Sequence, residues 1–153
     1  MNTRLTISLF AVVSFFLCPA CSDEDKEDSN WGTCYDCTLD SWIGAFSGTA
    51  THFNASTLVE VDGLDITIEF EETATDYLTA YVSVPNYFSA TISGAWTSPY
   101  SISFAGSGSS IFATIYKQGE DLMLNGNAKK FHYKVDSLII DEVVNFDVYK
   151  TIN

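Results

Sequence analysis

The sequence predicts an all-β protein, an antiparallel meander closing into a barrel of about eight to ten strands, with a β-sandwich as the alternative architecture. Three observations carry this. From residue 42 onward, apolar and polar residues alternate with a period of two in run after run. The runs are short and are broken at regular intervals by Gly, Pro, Asn and Asp. No window holds a 3.6-residue periodicity long enough for a helix. A chain of 153 residues, 46% hydrophobic, suffices to bury the core of one such domain.

The first strand is expected over residues 42–53, with Trp42, Gly44, Phe46 and Gly48 on one face. Residues 58–61 and 64–71 follow, and Asp62-Gly63 between them is a dipeptide that accepts positive φ, so a hairpin turning there is predicted. In its second arm Leu64, Ile66, Ile68 and Phe70 alternate with Asp65, Thr67, Glu69 and Glu71, one face for the core and one for water. Leu78, Ala80, Val82 and Val84 alternate before a turn at Pro85-Asn86, and Phe88, Ala90 and Ile92 lead on to Trp96 before Ser98-Pro99. Further strands are expected at 100–105, 111–117, 122–128, 133–140 and 143–150. Gly106-Ser107-Gly108, Gln118-Gly119-Glu120-Asp121 and Asp141-Glu142 are the turns that separate them.

The opening Trp42-Ile43-Gly44-Ala45-Phe46-Ser47-Gly48, together with Val144, Phe146 and Val148 ending in Lys150, resembles the first and last strands of calycin or lipocalin-like domains. The resemblance implies that Trp42 plugs one barrel end and that the glycines permit the bend of closure. A ligand held inside would need space beside small residues, for which Ala45, Ser47, Ala90 and Gly94 are the candidates.

The N-terminus carries an address. Arg4 precedes an apolar run of 13 residues from Leu5 to Leu17, the length of a secretory signal core and too short to span a bilayer. The small Ala20 then precedes Cys21 and the acidic Ser22-Asp23-Glu24-Asp25-Lys26-Glu27-Asp28. This arrangement is similar to that of bacterial outer-membrane lipoproteins, and of Bacteroidota surface lipoproteins in particular. The resemblance implies cleavage after residue 20, acylation of Cys21, and an acidic tract that directs export to the cell exterior, with a periplasmic location as the alternative. Several acyl chains, at ~0.8 kcal/mol per buried CH₂, would hold the whole protein to the membrane. The expected organisation is a signal peptide at 1–20, a lipidated tether at 21–40 and a barrel domain at 41–153.

With Cys18 removed and Cys21 acylated, Cys34 and Cys37 remain, and an oxidising envelope compartment favours a disulfide between them. Their C-x-x-C spacing lacks the βαβ context of a redox centre and the other ligands of a zinc site. A net charge of −13, from seven Lys and Arg against twenty Asp and Glu, excludes nucleic acid as a partner. Four of those cations, Lys117, Lys129, Lys130 and Lys134, gather in one stretch, suited either to an acidic partner or headgroup or to guarding a strand edge.

No nucleophile elbow, zinc-protease helix or phosphate loop is present, so no catalytic residue, cofactor or metal is expected. His52 and His132 fall within strands and are expected to be half-exposed rather than catalytic. Trp96 and Tyr100 in one loop, with Tyr87 one turn away, are the candidate ligand-binding residues, as a platform for stacking on a sugar ring. Asp136-Ser137-Leu138 resembles the short motif that Bacteroidota O-glycosylate. The expected function is a noncatalytic binding module for an apolar or glycan ligand, anchored to the outer membrane. The alternative is an accessory subunit of an outer-membrane uptake or export complex.

Overall fold

In the computed structural model, which describes residues 30–151, the alternation read from the sequence becomes one continuous antiparallel sheet. The elements in chain order are β1 (Gly32–Thr33), α1 (Leu39–Trp42), β2 (Gly44–Asn54), β3 (Val59–Ala74), β4 (Tyr77–Val84), β5 (Phe88–Ala95), β6 (Ser101–Ala105), β7 (Ser109–Gln118), β8 (Asp121–Lys134) and β9 (Ser137–Lys150). The signal segment, Cys21 and the acidic tract lie outside the described residues.

Each strand from β2 to β9 pairs with its sequence neighbour except at β5 and β6, and β9 returns to pair with β2. The result is an eight-stranded up-and-down barrel with one seam. At that seam side chains replace the ladder: a Cβ on Gly94 of β5 would lie 2.2 Å from Cδ1 of Phe104 on β6, so the missing side chain makes room for the ring. β1 adds a short extra strand beside β7. Gly32 and Thr33 are thus paired into the sheet, and Cys34 and Cys37, joined by a disulfide, belong to the buried core rather than to a tether.

Two expected turns are β-bulges instead. Asp62 and Gly63 sit inside the single long strand β3, both opposite Thr51, and the positive φ of Gly63 (68°) is used by the bulge. The chain reverses earlier, after Asn54, whose Oδ1 accepts hydrogen bonds from the backbone N–H groups of Ser56 and Thr57. Likewise Asp141 is the extra residue between the pairs Lys130–Glu142 and Phe131–Ile140, and the hairpin turns at Val135-Asp136, both at positive φ. The strand expected over 133–140 is therefore the tip of two longer strands. The turns at Pro85-Asn86 and at Gly119-Glu120 fall where the sequence places them.

The barrel interior is solid. Phe46, Ile68, Phe70, Leu78, Ala80, Ile115, Leu124, Val144 and Val148 are fully buried. Of the small residues expected to leave room, Ala45 and Ser47 alternate with buried Phe46 and face outward, and the space at Gly94 is taken by Phe104. Trp42 closes one end as the calycin resemblance implies, but from the short helix α1 rather than from the opening strand. It is fully buried, stacks edge-on against Phe70 at 5.8 Å, and donates Nε1–H to the Pro99 carbonyl at 3.1 Å. Lys150 seals the same end by donating from Nζ to the carbonyls of Asp40 (3.1 Å) and Ser41 (2.9 Å). Burial holds its pKa below the ordinary lysine value.

Candidate functional site at the barrel mouth

The end opposite Trp42 is open. There the inward-facing positions of the strands change from hydrocarbon to polar groups. On β2 the inward series Phe46, Ala50 ends in His52; on β9 the series Val148, Phe146, Val144 ends in Glu142; on β8 the series Leu124, Ala128 ends in Lys130. Glu142 faces inward because it continues the alternation of Val148, Phe146 and Val144; the Asp141 bulge lies just beyond it. With Val59, Val61, Asn86 and Tyr87, His52 and Glu142 line a depression of about 360 Å³.

His52 is the unexpected member. Only 5% of it is exposed, where the sequence reading expects a half-exposed side chain, and its Nε2 is buried without a hydrogen-bond partner among the described residues. An unpaired buried polar atom of this kind costs about 1–3 kcal/mol. Its ring lies 5.6 Å from that of Tyr87, tilted by 58°. Glu142 Oε2 is also buried without an aligned hydrogen bond, although Lys130 Nζ stands 3.1 Å away as its ion-pair partner. Lys130 in turn lies over the Phe88 ring, 4.8 Å from the centroid. The mouth thus combines an apolar wall of Val59, Val61 and Phe88 with a charge-balanced polar set.

The three residues nominated for ligand stacking are not brought together. Tyr87, 41% exposed, is at the mouth. Trp96 and Tyr100 are at the closed end, a full length of β5 away, roughly 25 Å at ~3.3 Å per residue. Trp96 is half-buried and packs against the core, and Tyr100 stacks edge-on against Tyr35 at 5.2 Å. The alternation of β2 alone turns His52 inward and that of β9 turns Glu142 inward, but the sequence reading places Asp141-Glu142 in a turn and so passes over Glu142.

His132 is half-exposed as expected, on the part of the β8–β9 hairpin that projects beyond the barrel, with Nδ1 2.9 Å from Asp141 Oδ1. Among the described residues no group of three or more His, Cys, Asp or Glu is placed to hold a metal ion.

No protein-family model matches the chain, and neither does any curated protein. Among solved structures, the chain is similar to a variant of the fluorescent protein UnaG, at 12% identity and a TM-score of 0.36, over 76% of this chain and 99% of that one. The barrel itself is defined by its own hydrogen-bonded ladders.

Proposed function

We propose that the protein is a noncatalytic binding module, anchored to the outer membrane through an acylated Cys21 and displayed on the cell exterior, that takes an apolar or glycan ligand at the barrel mouth. The observation that carries this reading is the buried, unpartnered Nε2 of His52 in a depression walled by Val59, Val61 and Tyr87. A ligand offering one hydrogen-bonding group and an apolar face would cover the wall and, once a side-chain rotation at the half-exposed Tyr87 bares Nε2, satisfy the imidazole. The solid interior sets the depth of binding: the ligand sits at the rim. The orientation is favourable, since Asn30 and β1 enter beside the Trp42 end, so a tethered barrel would present its mouth away from the anchor.

One observation favours a second reading, an accessory subunit of an outer-membrane complex. Beyond the Asp141 bulge the β8–β9 hairpin has no flanking strand, yet Phe131 pairs with Ile140 and Tyr133 with Leu138 on one face. Tyr133, Leu138 and Ile140 are all exposed, and a lone ribbon of this kind gains little from burying them on itself.

Native mass spectrometry of the protein, extracted gently from its own membrane without overexpression, separates the two. A solitary chain retaining a small-molecule mass supports the binding module. Release attached to larger membrane subunits overturns it in favour of the accessory role, and an unmodified Cys21 removes the anchor on which both rest.

A further inference from the structure

The outer wall of the barrel carries residues that strands ordinarily avoid. Asn125, Asn127, Asn145 and Asp147 alternate with the buried Leu124, Ala128, Val144 and Phe146 and therefore face outward. They are directly opposed across the ladder, Asn125 with Asp147 and Asn127 with Asn145. Asn and Asp are depleted in strands because their side chains compete locally for the backbone and pack poorly on the pleat. One such residue is unremarkable, but a block of four on two paired strands breaks the local rule at one place, which is where function is to be sought.

The rows extend to both sides. Asn145 is opposite Thr51 and Asp147 opposite Thr49 on β2, while Asn127 is opposite Phe112 on β7. All of these line one shallow depression of about 340 Å³, with the backbone of Gly126 among its lining and Phe112, 47% exposed, beside it. A Cβ on Gly126 would fall 2.1 Å from the Phe112 carbonyl oxygen, so no other residue lets β8 and β7 approach this closely at that point.

The polar groups are unequally committed. Asn125 donates from Nδ2 to Asp147 Oδ1 at 2.8 Å, and it is the one carboxamide of the three that is engaged among the described residues. Asn127 and Asn145 each present an acceptor oxygen and a donor NH₂ side by side, the complement of vicinal hydroxyls, and the Asp147 carboxylate accepts further hydroxyl protons. An exposed phenyl ring next to them is the complement of the C–H face of a sugar ring. Asp65, opposite Thr49, and Asp62, bonded by Thr51, make the surroundings acidic and oppose an anionic ligand.

We propose that this wall depression is a second binding site, distinct from the mouth, for a neutral saccharide. Phe112 stacks on the ring, and Asn127, Asn145 and Asp147 bond its hydroxyls.

The test is saturation-transfer NMR on the full acylated chain in detergent micelles. Disaccharides of glucose, galactose, mannose and N-acetylglucosamine are offered in turn at about 10 mM, a concentration suited to millimolar affinity, with sialyllactose as the anionic comparison. At least one neutral disaccharide is expected to show transfer to its ring C–H protons. Phe112→Ala should abolish the transfer, Phe112→Trp should retain it, and Asn127→Ala or Asn145→Ala should weaken binding about tenfold, the worth of one or two hydrogen bonds. Tyr77→Ala, an exposed aromatic outside both depressions, should leave it unchanged. These side chains face outward, so the fold survives their loss, and circular dichroism verifies it. The proposal is overturned by silence across the neutral panel, by preference for sialyllactose, by transfer that survives both Phe112→Ala and Asn127→Ala, or by loss in Tyr77→Ala.

Discussion

His52→Leu should make the protein more stable while disabling the mouth. In the wild-type barrel Nε2 is shut away from water with no partner among the described residues, which costs about 1–3 kcal/mol relative to an apolar group of similar size. Against this, leucine forfeits the tilted ring contact with Tyr87 at 5.6 Å, about 0.5–1 kcal/mol. The difference is a net gain of about 0–2.5 kcal/mol, which for a domain of this size raises the melting temperature by up to roughly 10 °C. Urea unfolding followed by tryptophan fluorescence measures it: the midpoint should rise with the slope unchanged, because no surface is added to the unfolding reaction. Any small-molecule mass that the wild-type protein retains should disappear from the variant. A midpoint lowered by about 1 kcal/mol or more would refute the reasoning, since it would mean that the imidazole is satisfied in the folded state and holds the mouth together.

The same unfolding assay checks the packing of the barrel. Gly48→Ala would place a Cβ 2.3 Å from the Asp147 carbonyl oxygen and 2.9 Å from Val148 Cα, both backbone atoms, so a loss of about 3 kcal/mol is expected; Gly32→Ala, with nothing within 4 Å, should change stability by less than about 0.5 kcal/mol. Replacing Cys34 and Cys37 together by alanine opens a very short loop and should cost about 2 kcal/mol, with dithiothreitol producing the same shift in the wild-type protein and none in the variant. Tyr81 donates its hydroxyl to Glu71 Oε2 at 3.1 Å, and that bond and charge raise its pKa above 10.0. Its contribution to stability is therefore present below pH 10.0 and lost as pH rises through the folded value. In an ultraviolet titration, Glu71→Gln should move one tyrosine transition downward, and an unchanged curve would deny the contact.

Much of the barrel was legible because the period-two pattern is enforced by burial. Ile66, Ile68 and Phe70 face the core as their alternation with Asp65, Thr67 and Glu69 demands, and a shift by one residue would expose all of them. The turns were less legible, for a specific reason. A Gly that accepts positive φ serves a β-bulge as well as it serves a hairpin, so Asp62-Gly63 marks an interruption without saying which kind. The actual reversal at Val135-Asp136 puts a β-branched residue at φ 46°, which no turn preference would nominate. That choice follows from register, fixed by the long pairing of β8 with β9 on either side of the bulge. The stacking trio failed for a related reason: Tyr87 and Trp96 are close in sequence, but a strand between two residues separates them by its whole length, so they fell at opposite ends.

The packed interior decides where such a protein is able to act. To admit a ligand to the centre, side chains such as Phe70 or Ile92 would have to be displaced, and emptying one such site costs about 2–5 kcal/mol, a large fraction of a small domain's stability. Binding at the rim or on the wall carries no such penalty, because the groups there are already hydrated or already unsatisfied. The sequence places its unfavourable residues accordingly: His52 is buried and Glu142 half-buried at the open end, while asparagines occupy strand positions on one stretch of wall. At the opposite end Trp42, Lys150 and the Cys34–Cys37 disulfide close the barrel beside the point where the chain enters. The closing contacts are concentrated where the described chain enters, and the unpartnered Nε2 of His52 lies at the far end, a polarity that suits the proposed binding module.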